Sequence, residues 1–91
     1  MTKIADLKKK LMENPEFREE YRKADAEFRL VETLVRARMN ANLSQAELAR
    51  RIGTTQSAIA RLEGGGVSPS ISTLRRYAEA TGSRLEINLV S

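Results

Sequence analysis

The sequence predicts an all-α fold, in which a helical bundle follows an N-terminal helical extension and precedes one short C-terminal β-strand. Apolar residues recur at spacings of three and four over most of the 91 residues, as they do in amphipathic helices. Capping residues and glycines interrupt this pattern, whereas only the tail alternates polar and apolar residues as a strand does. We therefore divide the chain into an extension (1–30), a central bundle (31–82) and a tail (83–91).

The composition argues against catalysis and metal binding. The chain has no Cys, which excludes disulfides and thiol nucleophiles, and no His, the usual general base and commonest metal ligand. No enzyme activity and no cofactor are therefore expected. The net charge is +4, and every basic residue after residue 40 is an arginine, which suits phosphate and guanine contacts better than lysine does. Because no segment resembles a secretory signal or a membrane span, we expect a cytoplasmic protein with no membrane partner.

The first 40 residues predict two helices. Thr2 can cap a short first helix, whose apolar stripe consists of Ile4, Leu7 and Leu11. Asn14 and Pro15 then mark the start of a second helix, because Asn is a good N-cap and Pro a good first helical residue. We expect this helix to run to about Asn40, although residues 24–26 could hide a break.

The second helix carries a narrow apolar seam. Its members follow at alternating steps of four and three, and they are Phe17, Tyr21, Ala24, Phe28, Val31 and Val35. Charged residues flank the seam, so it needs something to bury it. It can fold back on its own domain or cover a partner protein.

Residues 43–63 predict two short helices joined by a tight turn. Ser44 and Glu47 form an S-x-x-E capping box, in which each side chain satisfies a backbone donor of the other residue. Gly53 can end the first helix in the left-handed conformation, and Thr55 can cap a second helix that begins at Gln56. This arrangement is a helix-turn-helix, whose second helix can lie in a DNA major groove.

The second of these helices has an outward stripe with the chemistry of base recognition. Gln can bond to adenine, Arg to guanine, Ser to either, and an Ala methyl can meet the thymine methyl. The stripe consists of Gln56, Ser57, Ala60 and Arg61, opposite the inward residues Ile59 and Leu62. The alternative is the solvated face of an ordinary helical hairpin.

Two charged residues are predicted to point towards the core. Arg38 is in phase with Val31, Leu34 and Val35 on its helix, and Glu63 is in phase with Ile59. Because lone buried charges are costly, we expect Arg38 and Glu63 to form a structural ion pair.

The last 22 residues predict one further helix and the strand. Ser70 or Ser72 caps the helix, Gly82 ends it, and its inward residues are Ile71, Leu74, Tyr77 and Ala78. The tail then alternates, with its apolar positions at Leu85, Ile87 and Leu89. A single strand needs a backbone partner, and a symmetric copy supplies one as a two-stranded ribbon across a homodimer. The alternative is a frayed tail.

Residues 34–82 resemble the Xre/Cro–CI family of helix-turn-helix repressor domains. The resemblance implies an Arg38–Glu63 ion pair and phosphate contacts from Gln45 and Thr55, and it implies base contacts from Gln56, Ser57 and Arg61. A dimer of such domains reads palindromic half-sites in double-stranded operator DNA. The residues that carry the resemblance are Arg38, Leu43, Ser44, Gln45, Glu47, Leu48, Ala49, Gly53, Gln56, Ser57, Ile59, Arg61, Leu62, Glu63, Gly64, Pro69, Leu74, Ala78 and Gly82.

The whole chain looks like a HigA-type antitoxin of a type II toxin–antitoxin system. Asn14-Pro15-Glu16-Phe17, the long helix, the repressor-like core and the Arg84-Leu85-Glu86-Ile87-Asn88 tail carry this similarity. It implies that the protein neutralises a RelE-like ribonuclease toxin, through the region 7–28, and represses the shared operon while bound to DNA in the nucleoid. One alternative is a stand-alone dimeric repressor of phage type, which a further domain after the strand would favour. The other is a protein-interaction module that uses this fold without DNA.

Overall fold

The computed structural model describes the backbone of residues 3–91 and the side chains of residues 7 and 9–91. The predicted cap Thr2 and the side chain of Ile4 lie outside the described residues. Within that part of the chain there are five α-helices, which confirms the predicted helical bundle. They are α1 (Lys3–Met12), α2 (Pro15–Asn40), α3 (Gln45–Ile52), α4 (Gln56–Glu63) and α5 (Ile71–Ala80).

Helix α2 is continuous over 26 residues, with no break at residues 24–26. The Asn14 Oδ1 atom accepts hydrogen bonds from the backbone N–H groups of Glu16 at 2.9 Å and Phe17 at 3.3 Å. Pro15 occupies the first helical position, where no N–H is needed. At 1.5 Å per residue the helix is about 39 Å long, so the predicted boundary at residue 30 falls inside a single rigid element.

The hydrophobic core lies between the C-terminal half of α2 and the three following helices. Leu48 of α3 and Tyr77 of α5 are completely buried at its centre. Fully burying a Leu side chain contributes about 1.5–3 kcal/mol, so a core this small depends on each of its members. The buried apolar residues are Leu34, Leu43, Leu48, Ala49, Ile59, Leu62 and Tyr77.

The core face of α2 differs from the seam that the sequence predicted. Leu34 is buried, and Leu30 and Ala37 pack against the core beside it. Val31 and Val35 are only half-buried, because each lies one residue, about 100° around the helix, after an inward leucine. The C-terminal part of the seam, from Phe28 to Val35, is therefore not the face that packs on the core. Helix α2 thus carries a core-facing apolar side and a second apolar side.

Capping residues set the geometry of the helix-turn-helix as predicted. The Ser44 Oγ atom accepts from the Glu47 N–H at 3.0 Å, and the Ser44 N–H donates to Glu47 Oε1 at 3.1 Å. Gly53 follows α3 with a φ of 86°, a left-handed conformation that favours glycine. Thr55 then caps α4, because its Oγ1 atom accepts from the Ala58 N–H at 3.1 Å.

The predicted tail strand does not form in this chain, since residues 3–91 contain no β-strand and the backbone after residue 82 has no regular secondary structure. A strand needs a second strand to satisfy its backbone, and the helical bundle offers none. Leu85 is half-buried in a groove between α2 and α5, whereas Ile87 is 58% and Leu89 98% exposed. Pairing of the tail across a dimer therefore stays a prediction.

Candidate nucleic-acid interface

Helix α4 presents an exposed polar stripe opposite its buried face. Ile59 and Leu62 are buried against the core, which fixes the rotation of the helix about its axis. The predicted base-contacting residues lie on the opposite side, and all of them are exposed: Gln56, Ser57 and Arg61. Ala60 between them is also exposed, so no large side chain prevents a close approach to DNA. The structure thus brings the three predicted residues together on one surface.

The predicted phosphate-contacting residues lie at the N-termini of α3 and α4. Gln45 is the first residue of α3, and Thr55 is the N-cap of α4. The first N–H groups of a helix point outward and carry a partial positive charge, which favours anions. The Thr55 Oγ1 atom already accepts a bond from Ala58, but its hydroxyl proton can still donate to a phosphate oxygen.

A buried carboxylate fixes the position of the Gln45 side chain. Its Nε2 atom donates to Glu63 Oε1 at 3.1 Å, and the side chain is half-buried. An amide nitrogen carries two hydrogens, so one bond to Glu63 leaves a second donor for a phosphate. The contact fixes the direction of that donor, and the sequence did not predict it.

Arg38 and Glu63 form a bidentate ion pair between α2 and the C-terminus of α4. The Arg38 Nε atom lies 2.9 Å from Glu63 Oε2, and Arg38 Nη2 lies 2.9 Å from Glu63 Oε1. The side chains are only 15% and 4% exposed respectively. The remaining donor, Arg38 Nη1, bonds to the Leu43 carbonyl oxygen at 2.9 Å. The guanidinium thus ties α2 both to α4 and to the segment before α3.

Tyr77 adds a fourth member to this network, which the sequence analysis placed only in the core. Its hydroxyl oxygen lies 2.7 Å from Glu63 Oε2 and 2.7 Å from the Leu34 carbonyl oxygen. One hydroxyl proton is therefore directed at two acceptors. A signal was present in the sequence, because a buried Tyr needs a partner for its O–H and Glu63 was already predicted to be buried.

Hydrogen bonding controls the charge state of the network. Burial raises the pKa of the Glu63 carboxyl, but hydrogen bonds from Arg38, Tyr77 and Gln45 outweigh burial and hold that pKa below its ordinary value. Burial, reinforced by the bond to Glu63, raises the pKa of the Tyr77 hydroxyl. At neutral pH Glu63 is therefore ionised and Tyr77 is neutral. Because the Glu63 pKa is lowered on folding, its stabilisation is present above the ordinary glutamate pKa and is lost as the pH falls through the lowered value.

Comparison with known proteins identifies the class of this fold. The profile of the helix-turn-helix family matches residues 34–88, and the chain belongs to this family of DNA-binding domains. This membership points to a regulator and not an enzyme, as the composition predicted.

The chain is also similar to two curated relatives, both named Antitoxin HigA1. They come from Mycobacterium tuberculosis strains CDC 1551 / Oshkosh and ATCC 25618 / H37Rv, and each is 37% identical over 76 residues. The similarity covers 84% of this chain and 51% of each relative, so the chain spans about half the length of the relatives it matches. No solved structure gives a significant match.

Two other features are absent from the described part of the chain. No described helix has the length and apolar character needed to span a membrane. Among the described residues, no group of three or more carboxylate side chains is placed to hold a metal ion. The exposed face of α4 and the N-termini of α3 and α4 thus form the candidate functional site.

Proposed function

We propose that this chain is a sequence-specific DNA-binding antitoxin, which neutralises a RelE-like ribonuclease toxin and represses the operon that encodes both proteins. The observation that carries the DNA-binding part is the exposed stripe of Gln56, Ser57 and Arg61 on α4. The similarity to Antitoxin HigA1 supports the antitoxin part. The proposal places the protein on the nucleoid, in the cytoplasm.

In the proposed complex α4 lies in the major groove of operator DNA. Arg61 donates two hydrogen bonds to a guanine, Gln56 pairs with an adenine and Ser57 contacts either base. Gln45 and Thr55 donate to phosphates, which sets the register of the helix on the duplex without selecting a sequence. The Arg38–Glu63 pair links α4 to α2 and so fixes the orientation of α4 relative to the rest of the domain.

A homodimer would read two half-sites of a palindromic operator about one helical turn apart. The tail is the predicted dimer contact, through Leu85, Ile87 and Leu89. The exposure of Ile87 and Leu89 supports this role, because apolar side chains so open to water gain by being covered. Leu85 packs against its own chain and would anchor the tail at the base of the ribbon.

Replacing Arg61 by alanine is expected to weaken operator binding by about 1–3 kcal/mol and to relax the preference at one base pair. The reason is the loss of a bidentate base contact from an exposed side chain that supports no part of the core. Fluorescence anisotropy with the operator, with single base-pair variants and with random DNA measures both effects.

Two variants control this experiment. Gln45→Ala should weaken random DNA as well as the operator, and so more evenly than Arg61→Ala does, since a phosphate contact carries no sequence information. Arg22→Ala removes an exposed arginine of α2 outside the candidate interface and should leave affinity nearly unchanged. If Arg61→Ala weakened operator and random DNA equally, Arg61 would not be a base reader.

The toxin is proposed to bind the region 7–28, which comprises most of α1 and the first half of α2. Leu7 is 57% exposed, Leu11 is 38% exposed and Tyr21 is 37% exposed. These side chains lie outside the core of the helix-turn-helix domain, so a partner can contact them without unfolding it. The same region can therefore act while α4 contacts DNA.

Co-purification tests the antitoxin proposal. The tagged chain is expressed together with the reading frame adjacent to its gene, and a small basic protein is expected to elute with it at a stoichiometric ratio. Leu7→Asp combined with Leu11→Asp should release that protein while operator affinity is kept. Ile71→Asp is the matched control, because it alters an exposed apolar residue of α5 outside the region and outside the tail. If no protein co-purifies while operator binding persists, the chain is a stand-alone repressor. If operator binding also fails, it is an interaction module.

A further inference from the structure

Helix α2 carries an exposed apolar strip that the helix-turn-helix domain does not use. Phe28 is 66% exposed and Met39 is 63% exposed, with the half-buried Val31 and Val35 between them. These four residues line an open groove together with Glu32 and Arg36, and every residue described as lining it belongs to α2 or to its last turn. We call Phe28, Val31, Val35 and Met39 the outer strip.

The outer strip is centred on a different side of α2 from the core face. Leu30, Leu34 and Ala37 pack inward, and at about 100° per residue the centre of the strip lies about 140° around the helix from them. The tail does not cover it, because Leu85 sits with Leu30 and Leu34 on the inward side. Phe28 and Met39 are mostly exposed, and apolar side chains so open to water gain by being covered. The strip therefore favours a partner that covers it.

The charges along one edge of the strip show what can cover it. Glu32 and Arg36 form an ion pair one turn apart within α2, and their side chains are 48% and 68% exposed respectively. In an antiparallel pair of these helices a two-fold axis lies across the middle of the strip. Phe28 of each copy then meets Met39 of the other, and Val31 meets Val35. The two-fold axis also places Glu32 beside Arg36 of the second copy, at the same edge.

We propose that a second copy of this chain docks antiparallel on the outer strip of α2. The strip on one copy matches the same strip on the other, both in its apolar side chains and in its charges, as an isologous contact requires. A toxin or another unrelated protein would not need this reciprocal arrangement. The contact is distinct from the tail contact and needs neither DNA nor toxin, so it extends the proposed function without depending on it.

The size of the strip sets the expected strength of the contact. Eleven residue steps separate its ends, which corresponds to about 17 Å of helix. One helix pair of this length buries less surface than a standard stable interface of about 1,600 Å². We therefore expect a dissociable dimer, which forms at micromolar or higher concentrations or when DNA brings two copies together.

Charge reversal tests the antiparallel pairing directly. In Glu32→Arg both edge residues are cationic, and in Arg36→Glu both are anionic, so each variant repels its own second copy. A mixture of the two restores both ion pairs in a heterodimer. We expect the mixed pair to associate at least about tenfold more tightly than either variant alone, as judged by energy transfer between differently labelled full-length chains.

Controls separate this contact from its rivals. Each variant loses the same exposed ion pair within α2, and circular dichroism checks that both remain helical. Asp25→Arg and Arg29→Asp reverse a similar exposed pair outside the outer strip, and their mixture should show no preference. If the Glu32→Arg and Arg36→Glu chains associate equally with themselves and with each other, the proposal is overturned and the tail joins the copies. If none of the chains associates and Met39→Asp, which lies outside the region 7–28, releases a co-purified toxin, the strip is a toxin surface and the proposal is equally overturned.

Discussion

Replacing Arg38 by alanine is expected to lower the free energy of unfolding by about 3–5 kcal/mol, because it leaves a buried carboxylate without its cation. Glu63 is 4% exposed in its side chain and accepts two hydrogen bonds from Arg38. The alanine variant also removes the donor that satisfies the Leu43 carbonyl oxygen. Chemical denaturation of the purified chain measures the change.

Two variants make this result interpretable. Arg29→Ala removes an arginine from the same helix whose ion pair with Asp25 is exposed, and it should cost no more than about 0.5 kcal/mol. Arg38→Met combined with Glu63→Gln removes both charges and should recover much of the lost stability, since no ion is then left unpaired. A cost for Arg38→Ala no greater than that for Arg29→Ala would show that the buried pair contributes nothing.

Local sequence signals predicted the helices and their ends. Asn14, Ser44 and Thr55 each accept a backbone N–H at the start of the expected helix, and Gly53 takes the expected left-handed conformation. Such signals are reliable because a cap acts within three or four residues of the chain. The three-residue spacing of Ile59 and Leu62 likewise predicted which side of α4 faces the core.

The orientation of α2 could not be predicted in the same way. The seam from Phe17 to Val35 repeats every 3.6 residues on average, whereas the inward residues Leu30, Leu34 and Ala37 form a second apolar face. Periodicity identifies the faces of a helix but not which of them meets the rest of the chain. That choice depends on tertiary packing, which is why Val31 and Val35 were expected to be more buried than they are.

Non-local contacts explain the other differences. The alternation around Leu85 and Ile87 is typical of a strand, but a strand exists only beside a partner, and none lies within the chain. The sequence also predicted the ion partner of Glu63 and missed its bonds to Gln45 and Tyr77. Those residues lie 18 and 14 positions from Glu63, so only the folded bundle brings them together.

Substitution of Tyr77 separates packing from hydrogen bonding in the core. Tyr77→Ala should cost about 3–5 kcal/mol of unfolding free energy, because it removes a completely buried aromatic ring. Tyr77→Phe keeps the ring and removes the hydroxyl, so its expected cost is about 1–3 kcal/mol. Thermal or urea unfolding of both variants measures the two contributions.

The phenylalanine variant also tests whether the network positions α4 for DNA. In this variant the Glu63 carboxylate keeps its hydrogen bonds to Arg38 and Gln45 but loses the bond to Tyr77. Helix α4 is then linked through Glu63 to α2 and α3 but no longer to α5. We expect operator affinity to fall while the chain stays folded, and random-DNA affinity to fall less, because base contacts require closer alignment than phosphate contacts do. Tyr21→Phe is the matched control, since it removes the hydroxyl of a Tyr remote from Glu63. Unchanged operator affinity in Tyr77→Phe would restrict the network to stability alone.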